Sequence, residues 1–244
     1  DALPICSVLA KYDTNGQLVK EYPIRNEHGG ASISGFCESR NHEIIISVWN
    51  GRVYHLDKEK DEFIPYPDKM RSRNPTVMVQ DNEQDYFWLA TWGDGVVRFD
   101  PSAPGDSMFV YSEIPVNAAG EEDGLILSLA QDDKLGYIWL TTGHDFMALQ
   151  IQPDRTLKQL KFPAGLLPVN HMLVEVLKGK ECLWVSAFDR PSFILHLMDN
   201  ITKDYALPAL ADRVNRSPAI MALCDDGDGM MWMMQERTGL ALYD

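Results

Sequence analysis

The stretch Ile126-Leu127-Ser128-Leu129-Ala130-Gln131-Asp132-Asp133, continued after Lys134 and Leu135 by Gly136-Tyr137-Ile138-Trp139-Leu140-Thr141-Thr142, decides the fold. An apolar run ends in an acidic turn, and a second apolar run centred on a tryptophan follows. The same setting returns in Phe87-Trp88-Leu89-Ala90-Thr91, in Leu183-Trp184-Val185-Ser186 and in Met231-Trp232-Met233-Met234. Ile44-Ile45-Ile46-Ser47-Val48 aligns with the Trp88 segment at an offset of 43 residues, which also superposes Trp49 on Trp92 and Asp57 on Asp100. From Ile45 to Trp88, Trp139, Trp184 and Trp232 the successive steps are 43, 51, 45 and 48 residues. Each unit continues with a third strand ending near an Asp (Val96 to Asp100, Leu240 to Asp244) and a more polar fourth (Met108 to Tyr111). Short strands rich in β-branched and aromatic residues, bounded by Gly, Asp and Pro, make a meander. No helical period is sustained anywhere. Units of about 40–50 residues with four strands each predict an all-β chain, a β-propeller built of four-stranded antiparallel blades.

A large side chain repeated at one blade position fills the space between neighbouring blades, so Trp88, Trp139, Trp184 and Trp232 are expected to be framework. The ends are irregular. Leu9 to Asp13 reads as a third strand with Leu18 to Tyr22 as its fourth, yet Ala241 to Asp244 is also a third strand. One blade cannot hold two third strands. The expectation is therefore a single propeller segment over 1–244, with a partial blade at 1–30, four full blades over about 31–210 and a partial blade at 211–244. The parent ring would have about seven blades. A compact five-bladed ring with an irregular closing blade is the alternative.

Composition narrows the function. Of 244 residues 45% are apolar and 24% charged, which excludes wholesale disorder. No run approaches the length of a membrane-spanning helix. Lys and Arg number 22 against 36 Asp and Glu, a net charge of -14 that repels phosphate backbones and excludes nucleic acid as a partner. The four cysteines (Cys6, Cys37, Cys182, Cys224) form no C-x-x-C pair, which excludes a zinc ribbon or a thioredoxin motif. Their apolar neighbours predict buried free thiols. The chain opens at Asp1 without a basic and apolar leader, so any signal peptide is already absent.

The unit from Ile126 to Thr142 resembles the two-component regulator propeller repeat. That family's pattern is an apolar strand, Asp, a Gly turn, an apolar-Trp-apolar-Gly-Thr strand, then Gly-Leu and an aromatic before Asp. Asp228-Gly229-Met230-Met231-Trp232 with Thr238-Gly239-Leu240-Ala241-Leu242-Tyr243-Asp244 fits it, as does Trp88-Leu89-Ala90-Thr91 with Gly95-Val96-Val97-Arg98-Phe99-Asp100. The likeness covers roughly residues 30–244, with the units at Ile45 and Trp184 degenerate. Ala90 or Thr141 stands where the pattern has Gly, and the Trp184 unit carries an insertion from Phe188 to Ser192. The resemblance implies the periplasmic sensor region of a Bacteroides-type hybrid histidine kinase/response regulator. It further implies oligosaccharide sensing, signal transduction to a kinase downstream in the parent chain, and the remaining sensor blades and a possible homodimer as partners.

Blade topology locates a candidate ligand face without that resemblance. In an up-and-down blade the loop from strand two to three and the loop entering strand one lie at the same end, around the channel mouth. Those loops hold Trp49 and Asn50, Trp92 and Asp94, His144 and Asp145, Arg190, and Glu236 and Arg237. The entering loops add Arg71, Arg73 and Asn74. Flat aromatics with carboxylates, amides and guanidinium groups suit a sugar, whose C–H face stacks while its hydroxyls take planar polar partners. Trp49 and Trp92 stand out because each ends a strand beside Gly or Asn. The Arg71–Pro75 cluster either receives a carboxylate of an acidic sugar or pairs with the chain's own acids.

No zinc-binding H-E-x-x-H is present, and the Asp225-Asp226-Gly227-Asp228-Gly229 run lacks the bidentate Glu of a calcium loop and reads as a turn. No metal or other cofactor is expected. No phosphate-cradling loop, nucleophile elbow or kinase signature occurs, so the segment is not read as an enzyme and any kinase lies outside it. Two further classes stay open. One is an interaction scaffold using the acidic rim. The other is a propeller polysaccharide lyase or hydrolase, which would need His144, Asp145, Glu236 and Arg237 to converge.

Overall fold

The computed structural model describes residues 8–26, 29–30, 32–49, 52–67, 70–71, 74–161, 173–178, 182–187, 193–196, 220–228, 230–235 and 239–243. The chain forms two compact units, Asp1–Tyr111 and Ser112–Asp244. In the first, β1 (Val8–Tyr12) pairs with β2 (Leu18–Pro23), and β3 (Arg25–Asn26) with β4 (Gly29–Gly30). Two four-stranded sheets follow. One is β5 (Ile33–Glu38), β6 (Ile44–Val48), β7 (Arg52–Asp57) and β8 (Glu62–Pro65); the other is β9 (Pro75–Gln80), β10 (Phe87–Thr91), β11 (Val96–Phe99) and β12 (Phe109–Tyr111).

The second unit holds the four-stranded sheet β13 (Ile126–Asp132), β14 (Tyr137–Thr142), β15 (Phe146–Ile151) and β16 (Leu157–Gln159). It also holds two sheets with three described strands: β17 (Leu173–Lys178), β18 (Cys182–Ala187) and β19 (Phe193–His196), then β20 (Ile220–Asp225), β21 (Met231–Gln235) and β22 (Gly239–Tyr243). Consecutive strands pair antiparallel throughout, and the only helical turn among the described residues is the 3-10 turn Gly105–Met108. These are the blades of a β-propeller. The fourth strand expected for the Trp184 unit falls outside the described residues.

Period-two alternation assigns each blade two faces. Within each unit, the residue at the tryptophan position faces the following blade, and those one before and one after it face the preceding blade. Ile45 and Val53 pack with Met78, Phe87, Leu89 and Val97 of the next sheet. Trp139, with Ala130, Phe146 and Ala148, packs on Val176, Leu183 and Val185. Trp184 and Leu177 lie against Leu223, Met231 and Met233. On its other side the first full blade buries Ile46, Val48 and Tyr54 against Tyr22 and Ile24. The close fit between the two blades of the first unit requires Gly35, where a Cβ would stand 2.5 Å from Ser47 Oγ and 3.3 Å from Met78.

The turn between strands one and two is built around a buried carboxylate. Asp81 Oδ1 accepts the backbone N–H groups of Glu83 and Gln84, while Oδ2 accepts the indole N–H of Trp88 at 2.9 Å. Asp132 and Trp139 repeat the contact at 3.4 Å. The Asp225–Met230 turn is of the same local kind, since Asp225 and Asp226 accept N–H groups from Gly227, Asp228 and Met230.

Two expectations are corrected. Trp88 and Trp139 are fully buried and Trp184 is half-buried, but Trp232 is 37% exposed. It stands on the face by which Trp139 and Trp184 meet the following blade. The cysteines are not uniformly buried either: Cys37 and Cys182 are half-buried and Cys224 is exposed on the same open face, while Cys6 lies outside the described residues. Burial pushes the Cys37 thiol above its ordinary pKa.

Candidate functional site

Each blade carries a register shift near the start of its first strand, between Ile33 and Gly35, opposite Ala90/Thr91, and between Ile126 and Ser128, Leu173 and Glu175, and Ile220 and Ala222. A bulge at a rim re-aims the chain. Here it lets the residue that ends strand two donate its N–H back across the blade: Trp49 to Ser32 O and Trp92 to Asn74 O, both at 2.8 Å, and Gly143 to Leu125 O at 3.3 Å.

In the first unit this bond places two tryptophans side by side. The rings of Trp49 and Trp92 meet edge to face with centroids 5.4 Å apart, and Trp92 is 51% exposed. The loop after Trp92 is fixed by Thr91, whose hydroxyl donates to Gly95 O at 2.8 Å and accepts the Asp94 N–H at 3.1 Å. Asp94 Oδ1 lies 3.8 Å from the guanidinium of Arg71. That guanidinium sits over the Tyr111 ring, 4.2 Å from its centre, and the Arg71 backbone N–H donates to the Tyr111 hydroxyl. An exposed indole, a stacked guanidinium and a carboxylate thus share one rim. The set can bind a polyhydroxylated ligand, with the indole taking a C–H face and the charged groups taking hydroxyls.

The second unit has a different cluster. A hairpin bridged between Val116 and Glu122 is held at both ends. Gln159 bonds Val116 twice, each time at 2.7 Å, and Asp145 Oδ2 accepts the Ala118 N–H at 2.7 Å. Thr142 donates to buried Asp123 at 2.6 Å and accepts the N–H groups of His144 and Asp145. His144 Nδ1 lies 3.3 Å from Asp123 Oδ2, with most of the imidazole in solvent. Asp145 is buried and anchors the hairpin; of the pair expected from sequence, only His144 is exposed.

Trp49, Trp92 and Asp94 are thus brought together, joined by Arg71 from the entering loop. Asn50, Arg73, Arg190, Glu236 and Arg237 lie outside the described residues. Sequence reasoning missed Tyr111 and Asp123. An aromatic in a fourth strand carried no special signal, and Asp123 precedes its strand in a stretch without repeat counterpart. A usable signal did exist for the blade framework: an Asp seven residues before the Trp at 81/88, 132/139 and 225/232. Among the described residues no group of three His, Cys, Asp or Glu could hold a metal ion, and no helix is long and apolar enough to cross a membrane.

No protein-family model and no curated protein sequence matches the chain. Solved structures do share its fold. Virginiamycin B lyase from Staphylococcus aureus superposes with a TM-score of 0.67 at 16% identity, over 96% of this chain and 72% of that one. The extracellular domain of the putative hybrid two-component system BT4673 from B. thetaiotaomicron gives 0.68 at 15% identity, over 97% of this chain and 31% of that one. PorZ of Porphyromonas gingivalis, a surface component of the type-IX secretion system, gives 0.70 at 15%, over 94% and 35%. The likeness is one of fold, and this chain spans about a third of the length of the latter two.

Proposed function

We propose that this chain is a segment of an extracytoplasmic sensor propeller of the hybrid two-component kind, located in the periplasm. It recognises an oligosaccharide at the Trp49–Trp92 rim and signals to a histidine kinase outside the segment. The reading is supported by the fold shared with the extracellular domain of such a system and by the repeat pattern around Trp88, Trp139 and Trp232. The single observation that carries it is the tryptophan pair at 5.4 Å, with Trp92 51% exposed, beside Arg71 and Asp94.

The test is a thermal-shift and calorimetric screen of oligosaccharides against the protein and its Trp92→Ala variant. Binding that falls at least about tenfold in the variant, equivalent to about 1.4 kcal/mol, is expected for one lost stacking contact. A binder whose affinity is the same in both proteins overturns the site. Product formation that depends on His144 would instead favour a lyase.

A further inference from the structure

The loop entering β9 holds one guanidinium in a fixed place. The Arg71 backbone N–H donates to the Tyr111 hydroxyl, and Asn74 O accepts the Trp92 N–H at 2.8 Å. The loop is thereby tied both to the fourth strand of its blade and to the end of the second. The Arg71 side chain lies over the Tyr111 ring, 4.2 Å from its centre, and still stays 71% exposed. A guanidinium already stacked gives up less freedom on binding than one loose in solvent.

The sequence leaves Arg71 two roles, partner to the chain's own acids or receptor for an acid on the ligand. The distance to Asp94 separates them. An Arg–carboxylate pair closes to about 2.7–2.9 Å, often through two parallel bonds. Asp94 Oδ1 stops 3.8 Å from Nη2, while the Asp94 N–H is bonded to the Thr91 hydroxyl. Among the described residues the guanidinium therefore meets one acid and hydrogen-bonds none. We propose that the ligand at this rim is an acidic oligosaccharide whose ring carboxylate is received by Arg71, with Tyr111 as a positioning residue and Trp92 under the C–H face of the sugar. The inference rests on the Trp49–Trp92 rim being a saccharide site. A uronate offers the planar fork two oxygens where a neutral hexose has a single hydroxymethyl oxygen. The net charge of -14 does not forbid this, because at physiological salt exposed charges beyond about 8 Å are largely screened.

Calorimetry on the whole chain tests the proposal. The probes are oligogalacturonate, oligomannuronate and hyaluronan fragments, each beside its carboxyl-reduced counterpart, with neutral gluco- and xylo-oligosaccharides. At least one uronate fragment should bind about tenfold or more tighter than its reduced counterpart. Arg71→Gln should erase that ratio and leave the affinity for the reduced counterpart within about twofold, while Arg71→Lys, which keeps the charge but not the fork, should recover only part of it. Tyr111→Leu should lower the ratio about threefold without altering neutral binding, the readout that separates positioning from folding. A ratio untouched by Tyr111→Leu overturns its positioning role. Uronate and reduced fragments bound equally, or a ratio that survives Arg71→Gln, overturns the proposal. Neutral saccharides whose binding is lost in Trp92→Ala, with no uronate binder, overturn the acidic class and leave the saccharide rim standing. No binder of either kind overturns the rim itself and the inference with it.

Discussion

Trp139→Ala and Trp232→Ala make the same substitution at the same position of two blades in one unit, and the structure predicts very different costs. Trp139 has no exposed surface, stacks on Phe146 with ring centroids 5.5 Å apart and planes 3° from parallel, and closes a contact with Val176, Leu183 and Val185. Truncating it removes an indole from a walled space that cannot collapse, so the transfer and cavity terms add to about 4–5 kcal/mol. The lost stacking is part of that sum, and Asp132 loses its indole donor. At Trp232 water enters the space left behind, the cavity term vanishes, and the cost is about 2 kcal/mol or less. Urea unfolding followed by far-UV circular dichroism measures both, with calorimetry locating the transition of the second unit. A difference of about 3 kcal/mol corresponds to roughly 6–12 °C in melting temperature. Losses equal within about 1 kcal/mol would refute the alternating-face account of blade packing.

Three further outcomes follow from particular contacts. Asp81→Ala leaves the Trp88 indole and two turn N–H groups without their shared acceptor and should cost about 2–4 kcal/mol, with Asp81→Asn retaining part of it, measured by denaturant unfolding. Gly35→Ala pushes a methyl against Ser47 Oγ and the Met78 backbone and should cost about 1–3 kcal/mol, without altering exchange protection in the second unit. The N-terminal strand pair is fastened by Tyr22 and Lys20, both bonded to Asp61, at 2.7 and 3.0 Å. The Tyr22 hydroxyl and then Lys20 hold the Asp61 carboxyl below its ordinary 3.8, so that contribution is present above pH 3.8 and is lost as pH falls through the depressed value. Burial first, and then Asp61, raise Tyr22 from 10.0 to about 12, so its contribution is present below pH 10 and is lost as pH rises through about 12. Melting temperature against pH should therefore drop at both limits, and Tyr22→Phe should flatten the alkaline limb; an unchanged alkaline limb would dismiss the contact.

The blades were legible because their framework is periodic. A tryptophan between apolar neighbours can be buried on both faces only if something lies on each side, so its recurrence specifies stacked sheets. The same logic over-reached at Trp232, where burial was expected from position alone. Position predicts burial only where a following blade is present to supply the other half of the contact. The cysteines failed for a related reason: apolar neighbours in sequence alternate between faces, and Cys224 shares its face with Trp232 and Leu242. The rim was half legible. The offset of 43 residues that superposes Trp49 on Trp92 also makes them neighbours in space, because one repeat is one blade. Tyr111 and Asp123 reach their partners Arg71 and His144 across 40 and 21 residues, and no periodicity reports such contacts.

The rim tryptophans also have to be weighed against a purely architectural task, that of capping the blade edge. The backbone bond that ends strand two is the same at Trp49, Trp92 and Gly143. If the blade edge required an indole there, the third position would need one too. It carries a glycine instead, and a Cβ at Gly143 would come within 2.9 Å of Leu125. The bulge and the returned N–H bond therefore complete the blade without any side chain at this position. What an indole adds at 49 and 92 is a pair of flat apolar surfaces beside a guanidinium held over Tyr111. Since the fold does not demand them, Trp92→Ala can test the proposed ligand site without disturbing the blade.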